Sequence, residues 1–265
     1  MEINHVTTFS AATGPCSMEG YLQFTVAGSQ VVARDWAAEA LREALTEGTL
    51  HAWAAAQAGR DVMQGRGACY GVTLRSGSAG DPAVPVVVRR NRHGGLLRYL
   101  TGEQFLAPTR APLELSNSVR LAAAGIPTPE VIAYALYPTF GKLVRCDVMT
   151  RRLPGGSDLP EAWGAADATL REAMLHAVAA LLRALAASGA WHPDLNLKNI
   201  YLSNSTAPTA YLLDVDRVLF CPGEEVATRN FERLARSARK WRERWGLEFG
   251  EDALARLAAL AMEKK

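Results

Sequence analysis

Apolar and polar positions divide this chain into two regimes. In the first, Tyr21-Leu22-Gln23-Phe24-Thr25-Val26 alternates weakly and predicts a strand. Asp35 stands as an N-cap before Trp36, Ala40, Leu41, Ala44 and Leu45, one apolar helical face that stops near Gly48. From Val62 to Val88 the chain is glycine-punctuated and β-branched: Gly65 to Leu74, a polar turn over Ser76 to Pro82, then Val84 to Val88. This predicts two strands joined by a tight turn. Gly94-Gly95 breaks the pattern, and a helix is expected over 111–124, closed by Gly125 and Pro127. Prolines 127, 129 and 138 frame extended segments over 131–136 and 143–150. The sum is a small, mostly antiparallel sheet with one helix.

Beyond Arg151-Arg152-Leu153-Pro154-Gly155-Gly156 the spacing lengthens. Leu170, Met174, Ala177, Val178, Leu181, Leu182 and Leu185 follow Asp167 as a cap, and Phe231, Leu234, Ala238, Trp241 and Trp245 form a second helical stripe. Leu254, Leu257, Ala258 and Ala261 form a third. The expected division is residues 1–153, an N-lobe with an N-terminal extension, and residues 154–265, a helical C-lobe. No internal repeat is visible.

Composition narrows the class. With 265 residues, 49% hydrophobic and 21% charged, the chain lies far from disordered composition and can bury a sizeable core. The formal charge of +2 hides uneven placement. Arg89, Arg90, Arg92 and Arg98 have no acid among them, and Arg229, Arg233, Arg236, Arg239, Lys240, Arg242 and Arg244 are offset only by Glu232 and Glu243. Cys16, Cys69, Cys146 and Cys221 have neither zinc-ligand nor redox spacing, which suits a reducing compartment. With no apolar run long enough to span a bilayer and no signal pattern, a cytoplasmic protein is expected, peripheral at most on the inner face of a membrane. No nucleic-acid partner is expected.

The chemistry concentrates in Trp191-His192-Pro193-Asp194-Leu195-Asn196-Leu197-Lys198-Asn199-Ile200 and in Tyr211-Leu212-Leu213-Asp214-Val215-Asp216. Phosphoryl transfer needs a carboxylate to accept the proton of an attacking hydroxyl, oxygen ligands for magnesium, and cations along the triphosphate. Asp194 supplies the first, as catalytic base. Asn199, five residues later, and Asp214, at the end of an apolar strand, supply metal ligands. Leu195 and Leu197 anchor the loop. His192 is expected to brace it, and His5, His51 and His176 are expected to be structural. Asp216 is divided evenly between a functional role and an ion pair with Arg217 or another cation.

Over residues 65–220 the chain resembles the lipopolysaccharide core kinases that phosphorylate Kdo or heptose sugars, within the protein-kinase-like superfamily. The residues that carry the resemblance are Gly65-Arg66-Gly67, Val88-Arg89-Arg90 running into Arg92-His93-Gly94-Gly95-Leu96, Glu114, the segment from Ala124 to Pro129, Thr150 to Gly155, His192 to Ile200, and Leu213-Asp214-Val215-Asp216-Arg217. It implies an α+β, bilobal kinase-like fold with a small antiparallel-sheet N-lobe and a shortened, mainly helical C-lobe. It also implies ATP and Mg2+ as cofactors, Gly65 and Gly67 over the nucleotide phosphates, and Arg89 in the place of the strand lysine, paired with Glu114. The implied acceptor is a lipid-linked core sugar, with Arg90, Arg92 and His93 as its cationic contacts and an anionic membrane surface as a possible neighbour.

Three departures from protein kinases stand out. Arginine replaces the strand lysine, Val215-Asp216 replaces Phe-Gly, and Asn196 replaces the lysine two positions after the catalytic aspartate. No Ala-Pro-Glu segment follows, which turns the reading from a peptide towards a sugar. Competing readings are a small-molecule phosphotransferase of the aminoglycoside or choline type, and a nucleotide-binding scaffold without catalysis.

Overall fold

A computed structural model describes residues 18–64, 67–76, 83–91, 104–106, 109–141, 143–223 and 225–262. Among them the chain forms two compact units, one made of the described residues within 1–109 and 132–149, the other of those within 110–131 and 150–265.

The first unit is built on a sheet of eight strands: β1 (Tyr21–Val26), β2 (Ser29–Arg34), β3 (Asp61–Gln64), β4 (Ala68–Leu74), β5 (Val84–Arg90), β6 (Phe105–Leu106), β7 (Val131–Pro138) and β8 (Leu143–Arg151). Their order is β1-β2-β7-β8-β5-β4-β3, with β6 also on β8. The N-terminal hairpin thus extends the sheet, because β2 pairs antiparallel with β7. Three strands, not two, cover the glycine-punctuated region, since β3 pairs with β4 in the register Gln64 to Ala68. Gly67 lies in that turn. Gly65 falls outside the described residues.

Asp35 does not cap the first helix. It sits inside a 3-10 turn, Asp35–Ala37, its carboxylate accepting from Trp36 N at 2.7 Å, and the α-helix begins at Ala38 (Ala38–Ala44). The cap that sequence reading missed is Thr49, whose hydroxyl accepts from Ala52 N at 3.1 Å and opens a helix at Leu50–Ala56. Leu41, Leu45 and Leu50 pack with Val31, Ala33, Val86, Val88 and Ile132 in the core of this unit.

Strand alternation explains what becomes of the two arginines that end β5. Val86 and Val88 are fully buried, so Arg90 shares their face and Arg89 takes the other. Arg90 accordingly reaches inward, its Nε 3.3 Å from Oδ1 of the fully buried Asp147 and its Nη2 3.3 Å from the Thr49 hydroxyl. Asp147 also accepts from His51 N at 2.9 Å, and Leu50 N donates to the Tyr137 hydroxyl at 2.8 Å. Burial first, and then the charge of Asp147, push that hydroxyl far above its usual range, so it stays protonated. His51 is structural as expected, its Nε2 2.9 Å from Ala68 O.

The second unit is organised by the helix Ala168–Ala187, whose cap Asp167 accepts from Leu170 N at 2.8 Å. Its buried face, from Met174 to Leu185, packs with Leu234 and Ala238 of the helix Glu225–Trp245 and with Leu254, Leu257 and Leu260 of the helix Glu251–Met262. A short helix, Leu159–Ala165, precedes it behind Asp158 as cap. Small strands complete the unit: β9 (Gly156–Asp158), β10 (Ala190–Trp191), β11 (Ile200–Ser203), β12 (Ala210–Leu212) and β13 (Leu219–Phe220).

The helix expected over 111–124 runs from Ala111 to Ala123 and ends in a Schellman motif, with Ile126 N on Leu121 O and Gly125 N on Ala122 O around a left-handed Gly125. It belongs to the second unit, whereas a single cut at residue 153 would group it with the first. Its Leu121 joins the core of the second unit, and Asn117 Nδ2 donates to the carbonyls of Val215 (2.8 Å) and Val218 (3.0 Å). Arg120 lies over the Phe220 ring, 3.6 Å from its centroid.

Candidate active site

The segment 192–199 is pinned at both ends by strands. β10 pairs with β13 before it, and β11 pairs with β12 and β9 after it. Gly189, with φ of +67°, makes the turn from the long helix into β10, where an added Cβ would lie 2.6 Å from Cys221 O. From below, Leu195, Leu197 and Ile200 are fully buried, so the apolar anchors read from sequence do hold the loop.

Polar contacts then fix the loop's shape. Asp194 O accepts from Asn196 Nδ2 at 3.0 Å and from Asn199 Nδ2 at 3.1 Å. Asn199 O accepts from Leu213 N at 2.8 Å, which sets Asp214 one residue from the loop. Asp214 is left-handed (φ 54°, ψ 47°), a conformation that aspartate tolerates better than most residues and that turns the chain sharply after β12. Its exposed carboxylate makes no hydrogen bond or ion pair among the described residues, nor does Asn199 Oδ1. One carboxylate and one amide oxygen are thus available to a hard divalent cation, a donor set that suits magnesium. Among the described residues no group of three or more His, Cys, Asp or Glu forms a metal cluster.

His192 is fully buried beneath the loop. Its Nδ1 accepts from Asp194 N at 3.2 Å, which assigns the proton of the neutral ring to Nε2. Among the described residues Nε2 has no partner in hydrogen-bonding geometry, although the Leu213 carbonyl and the charges of Asp194, Asp214 and Asp216 lie close enough to favour protonation. Burial outweighs them and lowers the pKa of the ring. The folded protein therefore binds this proton less readily than the unfolded chain, whose histidine titrates near 6.5. The resulting stability is complete above the unfolded value and is lost as pH falls towards the lowered folded one. Urea denaturation between roughly pH 8 and pH 5 is expected to show this decline, and His192→Gln to remove part of it.

Sequence reading missed what grips the loop from the helix Glu225–Trp245. Asn230, Arg233 and Ser237, at positions i, i+3 and i+7, present one polar stripe inward. Fully buried Asn230 accepts from His192 N at 3.0 Å and donates to Ala190 O at 2.9 Å. Ser237 accepts from Leu197 N at 3.2 Å. Arg233 donates from Nε to Pro193 O at 3.0 Å and from Nη2 to Asp194 Oδ1 at 2.8 Å. Arg217 Nη1 lies 3.7 Å from Asp194 Oδ2, and Asp216 pairs with Arg110 at 3.2 Å rather than with Arg217. Much of the basic face of this helix is engaged within the unit, since Arg239 and Arg242 contact Glu251 and Arg229 contacts Glu225.

The remaining sequence-predicted residues lie on other elements. Glu114 is buried in the first turn of its helix, 6% exposed, in the second unit. Arg89 lies on β5 in the first, its Nη1 2.6 Å from Asn91 Oδ1. Arg90 is tied to Asp147. Arg92 and His93 lie outside the described residues.

Asp194 and Asn199 lie in one loop, and Leu213, the residue before Asp214, hydrogen-bonds to that loop after a strand, the arrangement expected of a kinase-like phosphotransferase of α+β fold. The chain belongs to the lipopolysaccharide kinase (Kdo/WaaP) family, whose model matches residues 66–252. Among its relatives are the 3-deoxy-D-manno-octulosonic acid kinases of Haemophilus influenzae (strain PittEE), 30% identical over 66% of this chain and 75% of that protein, and of Photobacterium damsela subsp. piscicida, 26% identical over 63% and 70%. A solved structure of WaaP in complex with acyl carrier protein aligns with 86% of this chain and 88% of its own, at 14% identity and a TM-score of 0.49. Family membership selects the lipopolysaccharide sugar kinase from the competing readings. Among the described residues no helix is long and apolar enough to cross a membrane.

Proposed function

We propose that the chain transfers the γ-phosphoryl group of ATP to a hydroxyl of a Kdo residue in the lipopolysaccharide inner core. The observation that carries this reading is the hydrogen-bonded junction of the two motifs: Asn199 bridges Asp194 O and Leu213 N, so that Asp194, Asn199 and Asp214 share one small region. Asp194 orients the acceptor hydroxyl and takes its proton as the oxygen attacks phosphorus. Asn199 Oδ1 and the Asp214 carboxylate would hold magnesium. That ion, when bound, offsets charge on the β and γ phosphoryl oxygens.

Gly67, Arg89 and Glu114 enter the proposal as nucleotide contacts, with Gly65 beside them in sequence. Arg89 lies on the strand face opposite Val86 and Val88, and Glu114 is buried, which favours a fixed role over a solvated one. The relatives act on an octulosonic acid, and an acid brings a carboxylate. Arg217, exposed and only loosely held by Asp194, is the cation best suited to meet it. Arg92 and His93 remain proposals from sequence.

The test is transfer from γ-labelled ATP to three acceptors: a Kdo-terminated lipid A precursor, a heptosylated core, and an aminoglycoside. Label is expected in the first. Label in the heptosylated core alone moves the acceptor to heptose, and no label in any of them overturns the proposal.

A further inference from the structure

The guanidinium of Arg233 spans two groups in the catalytic loop, one on the backbone and one on the reacting side chain. We infer that Arg233 is a positioning residue that locks the Asp194 carboxylate through Oδ1 and leaves Oδ2 to receive the acceptor proton. This rests on the reading of Asp194 as the base.

The geometry argues for a fixed orientation. Asp194 has a side chain 37% exposed and, without a partner, would sample several rotamers. Nε of Arg233 on Pro193 O and Nη2 on Asp194 Oδ1 belong to one rigid plane, so the carboxylate is referenced to the backbone that precedes it. The helix carrying Arg233 cannot drift from the loop, because Asn230 one turn before and Ser237 one turn after are both buried and bonded to it. Arg217 does not duplicate the role. It contacts the other oxygen at 3.7 Å from a side chain 47% exposed, a geometry that restrains little. A lysine at 233 would reach the carbonyl or the carboxylate but could not fix one against the other.

The experiment uses the full chain with γ-labelled ATP and the acceptor that accepts label in the panel above, comparing Arg233→Ala, Arg233→Lys, Asp194→Ala and Arg233→Ala/Asp194→Ala. A misoriented base is expected to lower kcat roughly 10²-fold in Arg233→Ala while the KM for ATP changes little. Arg233→Lys, which keeps the charge and most of the packing, is expected to recover only part of this. The double variant is expected to match Asp194→Ala, because orienting an absent carboxylate has no effect. A loop brace without a positioning role predicts instead a further loss in the double variant, and that result overturns the inference. So does Arg233→Ala or Arg233→Lys at wild-type turnover while Asp194→Ala is inactive. Should Asp194→Ala itself stay active, the reading of the base fails, and the inference with it.

Discussion

Asp194→Ala is expected to lower phosphate transfer by about 10²- to 10⁴-fold while ATP affinity changes little. The carboxylate is the group in this loop suited to take a proton, since the neutral His192 is buried with Nδ1 committed to Asp194 N. Among the described residues the contacts of Asp194 are with its own loop and with Arg217 and Arg233. Truncation does leave Arg233 and Arg217 facing the space it vacates without a counter-charge. Asp194→Asn keeps the shape and is therefore the cleaner variant, with a similar loss of turnover expected. Steady-state transfer assays with ATP titrations separate the two parameters, and turnover within tenfold of wild type would remove Asp194 from its role.

The largest stability effect is expected at Asn230. Its side-chain amide satisfies a donor and an acceptor of the main chain, His192 N and Ala190 O, in a fully buried position. Asn230→Ala strands both, and at about 1–3 kcal/mol for each unsatisfied buried group the unfolding free energy should fall by roughly 2–6 kcal/mol. Ser237→Ala loses one such contact, to Leu197 N, and should destabilise by about half as much or less. Urea denaturation of the pair measures both. Equal, small effects would mean that the polar stripe does not hold the loop.

What could be read from sequence was whatever announces itself locally. Alternation gave β1, and the parity of Val86 and Val88 already separates Arg89 from Arg90. Asp167 before a long apolar stripe gave the central helix. The interval from Asp194 to Asn199 and the apolar strand before Asp214 pointed to the candidate site. Features that depend on a distant partner were not legible. The edge strand β3 was missed because its Val62 is exposed and offers no buried face to read. The helix Leu50–Ala56 lacks a leucine stripe and leans on Thr49 and Tyr137 instead. The Asn230, Arg233 and Ser237 stripe was hidden among surface arginines, because polar residues at helical spacing resemble a solvated face until the segment opposite is known. The same limit applies to the helix Ala111–Ala123: its sequence gives its ends but not the neighbour to which Asn117 and Arg120 bind.

Asn199 and Asp214 are proposed to hold the magnesium of a nucleotide site beside Asp194, and thermal unfolding of the intact chain with ATP, with and without Mg2+, reads whether they do. Asp214→Asn is the appropriate comparison, since asparagine also tolerates the left-handed backbone at this position. At a ligand concentration about 100 times Kd the native state should gain about 2.7 kcal/mol, read as a higher Tm. A shift that requires Mg2+ in the wild type and vanishes in Asp214→Asn is the predicted result. No shift at millimolar ATP, or the same magnesium-dependent shift in both proteins, would contradict it.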